Sequence, residues 1–432
     1  MLDKHVAVIG AGVSGMASAL ELANAGFTVS LVEREPQVGG HAALLCCKAT
    51  HVCSACAVCT VHKLVKEVAT HPRVRLLTNS LVQSVTGAVG DFHIQVGLRP
   101  TQVDAARCIA CGVCSEVCPT SPKAAHILPM SLPLSYTIDE RLCTHFATGG
   151  CDLCRQSCPT GAISFDSKPN KQDLVAHAIV LATGFEAFDA KQKGSLGYGR
   201  CPNVLTGLDM EKAFRQEGAL RLADGREPRS IAFIQCVGSR DESVGSGYCS
   251  QVCCKYAMRL ARLLKYQNPH AQVTIFYIDL QTAGKGFSQF YREYQDLIRF
   301  IRGIPVEVSE TPSRELELKY EDISQGKVCR EMFDVVVLSV GISPRKDSWD
   351  MARILGINLA DNGFFDVENP LDNHGTNVNG IFLAGACQGP KDIPDSISHG
   401  IGAASEIIQA LGVKHRRLAE TKKKVGSTSG GR

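Results

Sequence analysis

Residues 5–40 read HVAVIGAGVSGMASALELANAGFTVSLVEREPQVGG. An apolar run enters Gly10, Gly12 and Gly15, a helix-forming stretch follows, and a second apolar run ends at Glu33. The pattern predicts a strand, tight turn, helix and strand: a dinucleotide-binding βαβ unit. The glycines allow the turn and let backbone approach a pyrophosphate, while the helix N-terminus adds positive potential. Glu33 stands where an acid accepts hydrogen bonds from a ribose. A plain helix-packing role would explain the glycines but not the acid or the Gly39-Gly40 pair behind it. That pair favours FAD over NAD.

Two later stretches support a flavin. Residues 174–185, LVAHAIVLATGF, predict a buried strand ending in Ala182-Thr183-Gly184. Residues 380–411, GIFLAGACQGPKDIPDSISHGIGAASEIIQAL, predict a strand, Gly385-Ala386, a loop and a helix. Lys391 and His399 fall where that loop and helix would face the flavin ring. They are the candidate catalytic residues, able to stabilise charge on a reduced flavin; surface or packing roles are the simpler alternatives. One FAD is expected, in a domain split over 1–100, 171–228 and 341–413.

The chain holds 20 cysteines in its 432 residues. Seventeen of them fall in four clusters, and Cys201, Cys329 and Cys387 stand alone as expected core residues. Between residues 101 and 170 lie Cys108, Cys111, Cys114 and Cys118-Pro119, then Cys143, Cys151, Cys154 and Cys158-Pro159. This is the C-x2-C-x2-C-x3-C-P signature of a two-cluster ferredoxin, in which the fourth cysteine of each run crosses to the other cluster. The expected sets are Cys108, Cys111, Cys114 and Cys158, and Cys143, Cys151, Cys154 and Cys118. Two [4Fe–4S] clusters are therefore firmly expected. The segment HFATGG after the fifth of these cysteines reads as a widened loop.

Two further sets raise the expected total to as many as four clusters. Cys53, Cys56 and Cys59 follow the double glycine as C-x2-C-x2-C, with Cys46 and Cys47 as candidate fourth ligands. Cys236, Cys249, Cys253 and Cys254 form C-x12-C-x3-C-C. Soft thiolates at this density suit iron–sulfur clusters. Structural zinc, a redox thiol pair or buried free cysteines remain alternatives.

Residues 229–340 read as a second Rossmann-like domain carrying the last cysteine set: SIAFIQ, a helix through CKYAMRLARLLKYQ, then VTIFYIDL and FDVVVLSVG. Its first strand leads into CVGSRDES, so Cys236 occupies the turn where a phosphate-binding glycine would sit. Asp279 stands at the position of a ribose acid, which keeps NAD in play.

Composition sets the outer limits. Apolar residues make up 44% and charged residues 21%, as in globular proteins, and a single Trp speaks against nucleic-acid binding. No apolar run reaches the length of a membrane span. The formal charge is +3, but residues 414–432 carry seven Lys/Arg against one Glu and read as a basic disordered tail. Cysteines in such number without a signal peptide point to metal ligation in a cytoplasmic chain.

The flavin fingerprint, the ferredoxin insert, the Cys236/Cys249/Cys253/Cys254 set and the PKDIPDSISHG loop together resemble the iron–sulfur flavoprotein family formed by the A subunits of heterodisulfide reductase. The short form is similar to the A subunit of quinone-interacting membrane-bound oxidoreductases. The resemblance implies a thioredoxin-reductase-like FAD fold and an electron-transfer role within a larger redox complex. It also implies a [4Fe–4S] cluster on the C-x12-C-x3-C-C set, near the flavin. The implied partners are heterodisulfide reductase B/C-like or membrane quinone-linked subunits, some acting by bifurcation, with attachment to the inner membrane face through them. A homodimer is left open. The rival readings are a self-sufficient NAD(P)H-dependent flavin oxidoreductase and a zinc-holding assembly scaffold.

Overall fold

The computed structural model describes residues 4–128, 134–167, 169–281 and 286–412. The basic stretch 414–432 lies outside them.

Two parallel five-stranded sheets organise the chain. The first has the order Ile381–Leu383, Ala178–Leu181, His5–Ile9, Thr28–Val32 and Val74–Leu77. Its central strands are apolar along their whole length, as covered parallel strands must be: Val6, Ala7 and Val8 are fully buried. The helix Val13–Asn24 packs on this sheet beside Ile393–Leu411, so the two ends of the sequence build one layer. Small residues allow the approach. Ser18 Oγ donates to the Gly400 carbonyl at 2.7 Å, and a Cβ at Gly400 would lie 2.3 Å from the Ser14 carbonyl oxygen.

The strand Asp91–Leu98 is answered by Asn170–Ala176, antiparallel, with Phe92 opposite Ala176 and Leu98 opposite Asn170. The predicted strand over 174–181 is therefore two pieces. Asn170–Ala176 serves this antiparallel sheet, and after His177 the chain turns into Ala178–Leu181 of the parallel one. Residues 101–167 are inserted between the two antiparallel partners.

The second parallel sheet has the order Val204–Thr206, Val335–Val340, Ser230–Val237, Gln272–Tyr277 and Arg299–Arg302. Residues 204–217 were expected with the first unit. Instead, Val204–Thr206 pairs with Val335–Val340, and the helix Gly207–Glu217 packs on the second core through Met210 and Phe214. The two units are joined by a short antiparallel pair, Glu186–Ala187 with Ile342–Ser343. Among the described residues no helix is long and apolar enough to cross a membrane.

Candidate functional site

The first strand ends in a turn built for close approach. Gly10 has φ +105°, and a Cβ there would lie 2.4 Å from the Ala182 carbonyl oxygen. A Cβ at Gly15 would lie 1.9 Å from the Gly10 oxygen, so this position sets how closely helix meets strand. Gly12 differs: a Cβ there would meet nothing within 4 Å, because Gly12 borders a large cavity. It also caps the helix Val13–Asn24 without any side-chain hydrogen bond, which leaves first-turn N–H groups facing that space.

The cavity measures about 560 Å³, within the range that holds cofactors. Gly39-Gly40 closes one side, bonded through Gly39 N–H to the Ala11 carbonyl at 2.8 Å. Glu33 lies at the end of Thr28–Val32, its carboxylate accepting from the N–H groups of Ala11 at 2.7 Å and Glu35 at 2.9 Å. Burial raises its pKa against the pull of those two donors. Thr183 and Gly184 line the wall, and the Thr183 hydroxyl is buried without a partner. So is His41 Nδ1, while its Nε2 meets the Phe185 carbonyl at 2.9 Å and its ring stacks on Phe185. Orphaned polar atoms around an apolar void, next to glycine backbone, fit a dinucleotide such as FAD.

Ala386 also lines the cavity, while Gly385 before it packs behind the wall against Ser14. Gly385 has φ +76°, and a Cβ there would clash with Ser14 Oγ at 1.8 Å. Lys391 reaches the cavity beside the N-terminus of Ile393–Leu411, with its ammonium held by Gln388. Burial lowers its pKa. His399 is turned away from it. Its Nδ1 accepts from Gly385 N–H at 2.8 Å and its Nε2 meets the Asn373 carbonyl at 3.0 Å, so the ring holds the 385 loop rather than facing a cofactor. Burial, then the neighbouring Lys391 and His374, lower its pKa to about 3.

The inserted segment brings Cys118 to the second run of cysteines, as one of the two expected sets requires. Cys118, Cys143, Cys151 and Cys154 line one small cavity. Cys114 and Cys154 sit at corresponding places on the short helices Val113–Glu116 and Leu153–Gln156, and burial pushes each up to about 11. Cys114 also feels Cys108 and Cys111. Burial would raise Cys118 as well, but the Thr120 hydroxyl and the N–H groups of Ala125, Thr120 and Ala124 outweigh it and bring its pKa to about 7. Cys158 accepts from Ala162 N–H at 3.3 Å and stands by the Thr160 hydroxyl in the same way. The HFATGG stretch is not an open loop: Thr144–Thr148 forms a short helix, and His145 stacks on Phe165.

In the second unit Cys236 has φ +59° next to the last residue of Ser230–Val237, where the register with Val335–Val340 shifts, and Cys253 and Cys254 open the helix Cys253–Gln267. The four thiols of this set feel one another's charge. Burial, then Cys254, push Cys236 up to about 12. The hydrogen bond between Cys253 and Cys254 raises Cys253 and lowers Cys254. Cys253 also lines the large cavity, as does Cys56 from the first unit.

Cys53, Cys56 and Cys59 lie on the loop leading into Thr60–Thr70. Burial pushes Cys56 up, but the Val58 N–H, the Ser54 hydroxyl, Lys48 and Arg259 outweigh it, and its pKa is lowered. Cys46 is not gathered with them. Its N–H donates to Glu211 at 2.7 Å and its side chain packs on the second unit's core. Glu211 is fully buried in an ion pair with Lys48, a contact between residues too far apart in sequence to be foreseen from it. Cys201 and Cys387 are buried as expected, whereas Cys329 is only half-buried on the strand Lys327–Phe333. Among the described residues, no three Cys, His, Asp or Glu side chains converge as a single-ion site requires.

The second unit's nucleotide loop is otherwise occupied. A Cβ at Gly238 would fall 2.0 Å from the Phe188 ring, and Asp279 is paired with Arg240 at 2.5 Å.

Residues 4–404 match the pyridine nucleotide-disulphide oxidoreductase family. The chain is 38% identical over 427 residues to the iron-sulfur A subunit of the CoB–CoM heterodisulfide reductase of Methanocaldococcus jannaschii, covering 94% of this chain and 64% of that protein. It is 37% identical over 424 residues to the A subunit of the H(2):CoB-CoM heterodisulfide,ferredoxin reductase of Methanothermobacter marburgensis, with 94% and 63% covered. It thus spans a little under two thirds of these relatives' length. In fold it is similar to the thioredoxin reductases of T. acidophilum (TM-score 0.52, 14% identity) and Lactococcus lactis (TM-score 0.51, 16% identity), each match covering 94% of this chain and 98% of the other. The chain belongs to the pyridine nucleotide-disulphide oxidoreductase family.

Proposed function

We propose that the chain is an FAD- and [4Fe–4S]-carrying electron-transfer component of a multi-subunit redox complex of the heterodisulfide reductase kind. One observation carries this reading: the cavity is walled by Cys56 of one cysteine set and Cys253 of another, from different units. Gly10, Gly12, Glu33, Gly39, Gly40, Thr183, Gly184 and Ala386 line the cavity and would hold FAD, with Gly15 and Gly385 setting the close packing behind them. The crossed ferredoxin sets would hold two clusters and Cys236, Cys249, Cys253 and Cys254 a third. When bound, FAD exchanges electrons in pairs or singly and clusters exchange them singly.

This chain's own residues set the conditions. First-turn N–H groups behind Gly12 would meet the pyrophosphate, and Lys391 Nζ, held by Gln388, would stand on the cavity wall to balance charge there. The N-terminus of Cys253–Gln267 places positive potential beside Cys254, whose pKa is already lowered, and would favour its thiolate. Other redox subunits are the expected partners, heterodisulfide reductase B/C-like or quinone-linked, with the chain on the cytoplasmic side and membrane attachment only through them. The NAD(P)H-dependent rival is disfavoured by the Arg240–Asp279 pair and the Phe188 ring against Gly238.

The test is Cys253→Ala in the full chain carrying its cofactors. FAD should stay bound while electron transfer from reduced flavin to the ferredoxin clusters is lost in stopped-flow spectra. Unchanged cluster reduction would defeat the reading, and rapid flavin bleaching by NADH would favour the rival.

A further inference from the structure

The loop CSACAVC at 53–59 repeats CIACGVC at 108–114 at five of seven positions. The backbone repeats too. The third residue of each is left-handed, Ala55 at φ +49° and Ala110 at +54°, and so is the fifth, Ala57 at +60° and Gly112 at +88°. Each loop then runs into a helix, Thr60–Thr70 or Val113–Glu116. Alanine in this region costs on the order of 1 kcal/mol and persists only where the surroundings demand it. At 53–59 the demand is local to the thiols: Ala55 N–H donates back to Cys53 Sγ at 3.4 Å.

The resemblance stops at the fourth ligand. In the ferredoxin insert it is a distant Cys-Pro that folds back. For 53–59, Cys46 is committed elsewhere, its N–H on Glu211 and its side chain in the second unit's core. Cys56 lines the cavity, whereas Cys53 and Cys59 are exposed, so the loop spans the wall between cavity and solvent. Cys47, the other candidate, is exposed and precedes the buried Lys48; thiolates bind the irons of a cubane one apiece, so the loop's own three leave one iron over.

We propose that Cys53, Cys56 and Cys59 hold a [4Fe–4S] cluster through three thiolates, with the fourth iron open to an external thiolate. This rests on the electron-transfer reading and adds a ligand-binding iron to it.

The test uses the full chain with FAD, reconstituted anaerobically, as wild type and as C46A, C47A, C53S and C56A. Iron is counted, and EPR is recorded after mild ferricyanide oxidation, which removes an iron that lacks a protein thiolate and leaves a three-iron cluster. 2-Mercaptoethanol is the probe ligand and should protect the open iron. Wild type, C46A and C47A are expected to show the three-iron signal, reversed by ferrous iron and suppressed by the thiol. C56A should lose about four irons per chain and the signal, with FAD and the ferredoxin clusters retained. C53S, at an exposed position, should do the same and guards against loss through misfolding. Loss of about four irons in C46A or C47A would overturn the proposal by supplying the fourth ligand. Full iron in both C56A and C53S would overturn it while leaving the electron-transfer reading intact.

Discussion

Arg259 Nε donates to the Ser54 carbonyl at 3.1 Å, and its Nη2 donates to the Ala55 carbonyl at 3.2 Å. Arg259 stands on the helix that begins with Cys253-Cys254, and Ser54-Ala55 lie between Cys53 and Cys56. One guanidinium thus joins two cysteine sets from different units. Arg262, one turn on, grips Thr50 Oγ1 at 2.8 Å and the Val52 carbonyl at 2.9 Å. The loop is held by charged donors on oxygen acceptors, which fixes its position without using its thiols.

Removing that grip should loosen the loop and little else. Hydrogen bonds to charged groups contribute about 1.5–3 kcal/mol, with the low end applying at partly exposed sites. In Arg259→Met, amide hydrogen exchange over residues 50–56 should quicken about tenfold while the first sheet stays protected. Unchanged exchange there would show that the loop is held by something else.

The Lys48–Glu211 pair should behave as a buried charge pair. Both side chains are sealed from solvent, and Lys48 Nζ also donates to the Cys46 carbonyl at 3.0 Å and lies over the Tyr256 ring. Stranding one charge costs about 3–5 kcal/mol, whereas replacing both with apolar groups of similar volume is often close to neutral. Urea unfolding should show Lys48→Met strongly destabilised and the double variant K48M/E211L largely restored. Equal loss in both would contradict the pair's role.

The cradle glycines separate folding from binding. Gly12→Ala should fold normally, because its Cβ enters open space, yet bind FAD more weakly in a titration because that space is the cofactor's. Gly15→Ala should lose stability even without FAD, because its Cβ meets the Gly10 carbonyl. Similar behaviour of the two variants would count against this assignment.

His399 should give the fold an acid limit. Its folded pKa of about 3 lies below the ordinary value, so its contribution is fully present above about pH 6.5 and is lost as pH falls toward the folded pKa. Over that window the unfolded chain takes up a proton that the folded chain refuses. Partial exposure should hold the slope below about 1.4 kcal/mol per pH unit. Stability measured from pH 7 to 4 should fall less steeply in His399→Gln than in wild type; parallel curves would contradict the claim.

Much of this was legible in the sequence because it is local. The residue 5–40 unit carries its turn, helix and acid in one run, and spacing alone pairs Cys118 with Cys143, Cys151 and Cys154, which line one cavity. What escaped was tertiary. Val204–Thr206 is only three residues long and shows no period that would assign it to a sheet. The 391–399 segment announces a loop and helix near a flavin, but the helix's rotation, which points His399 at Gly385, depends on the small-residue contact with Ser14 and Ser18. Cys46 sits close enough in sequence to pass for a ligand, and only the distant Glu211 shows where it turns.

The most direct measurement is iron, zinc and FAD per chain on anaerobically purified protein. The account predicts one FAD, no zinc and about sixteen irons, four for each cysteine set. Zinc in place of iron, or about eight irons or fewer, would contradict the electron-relay reading.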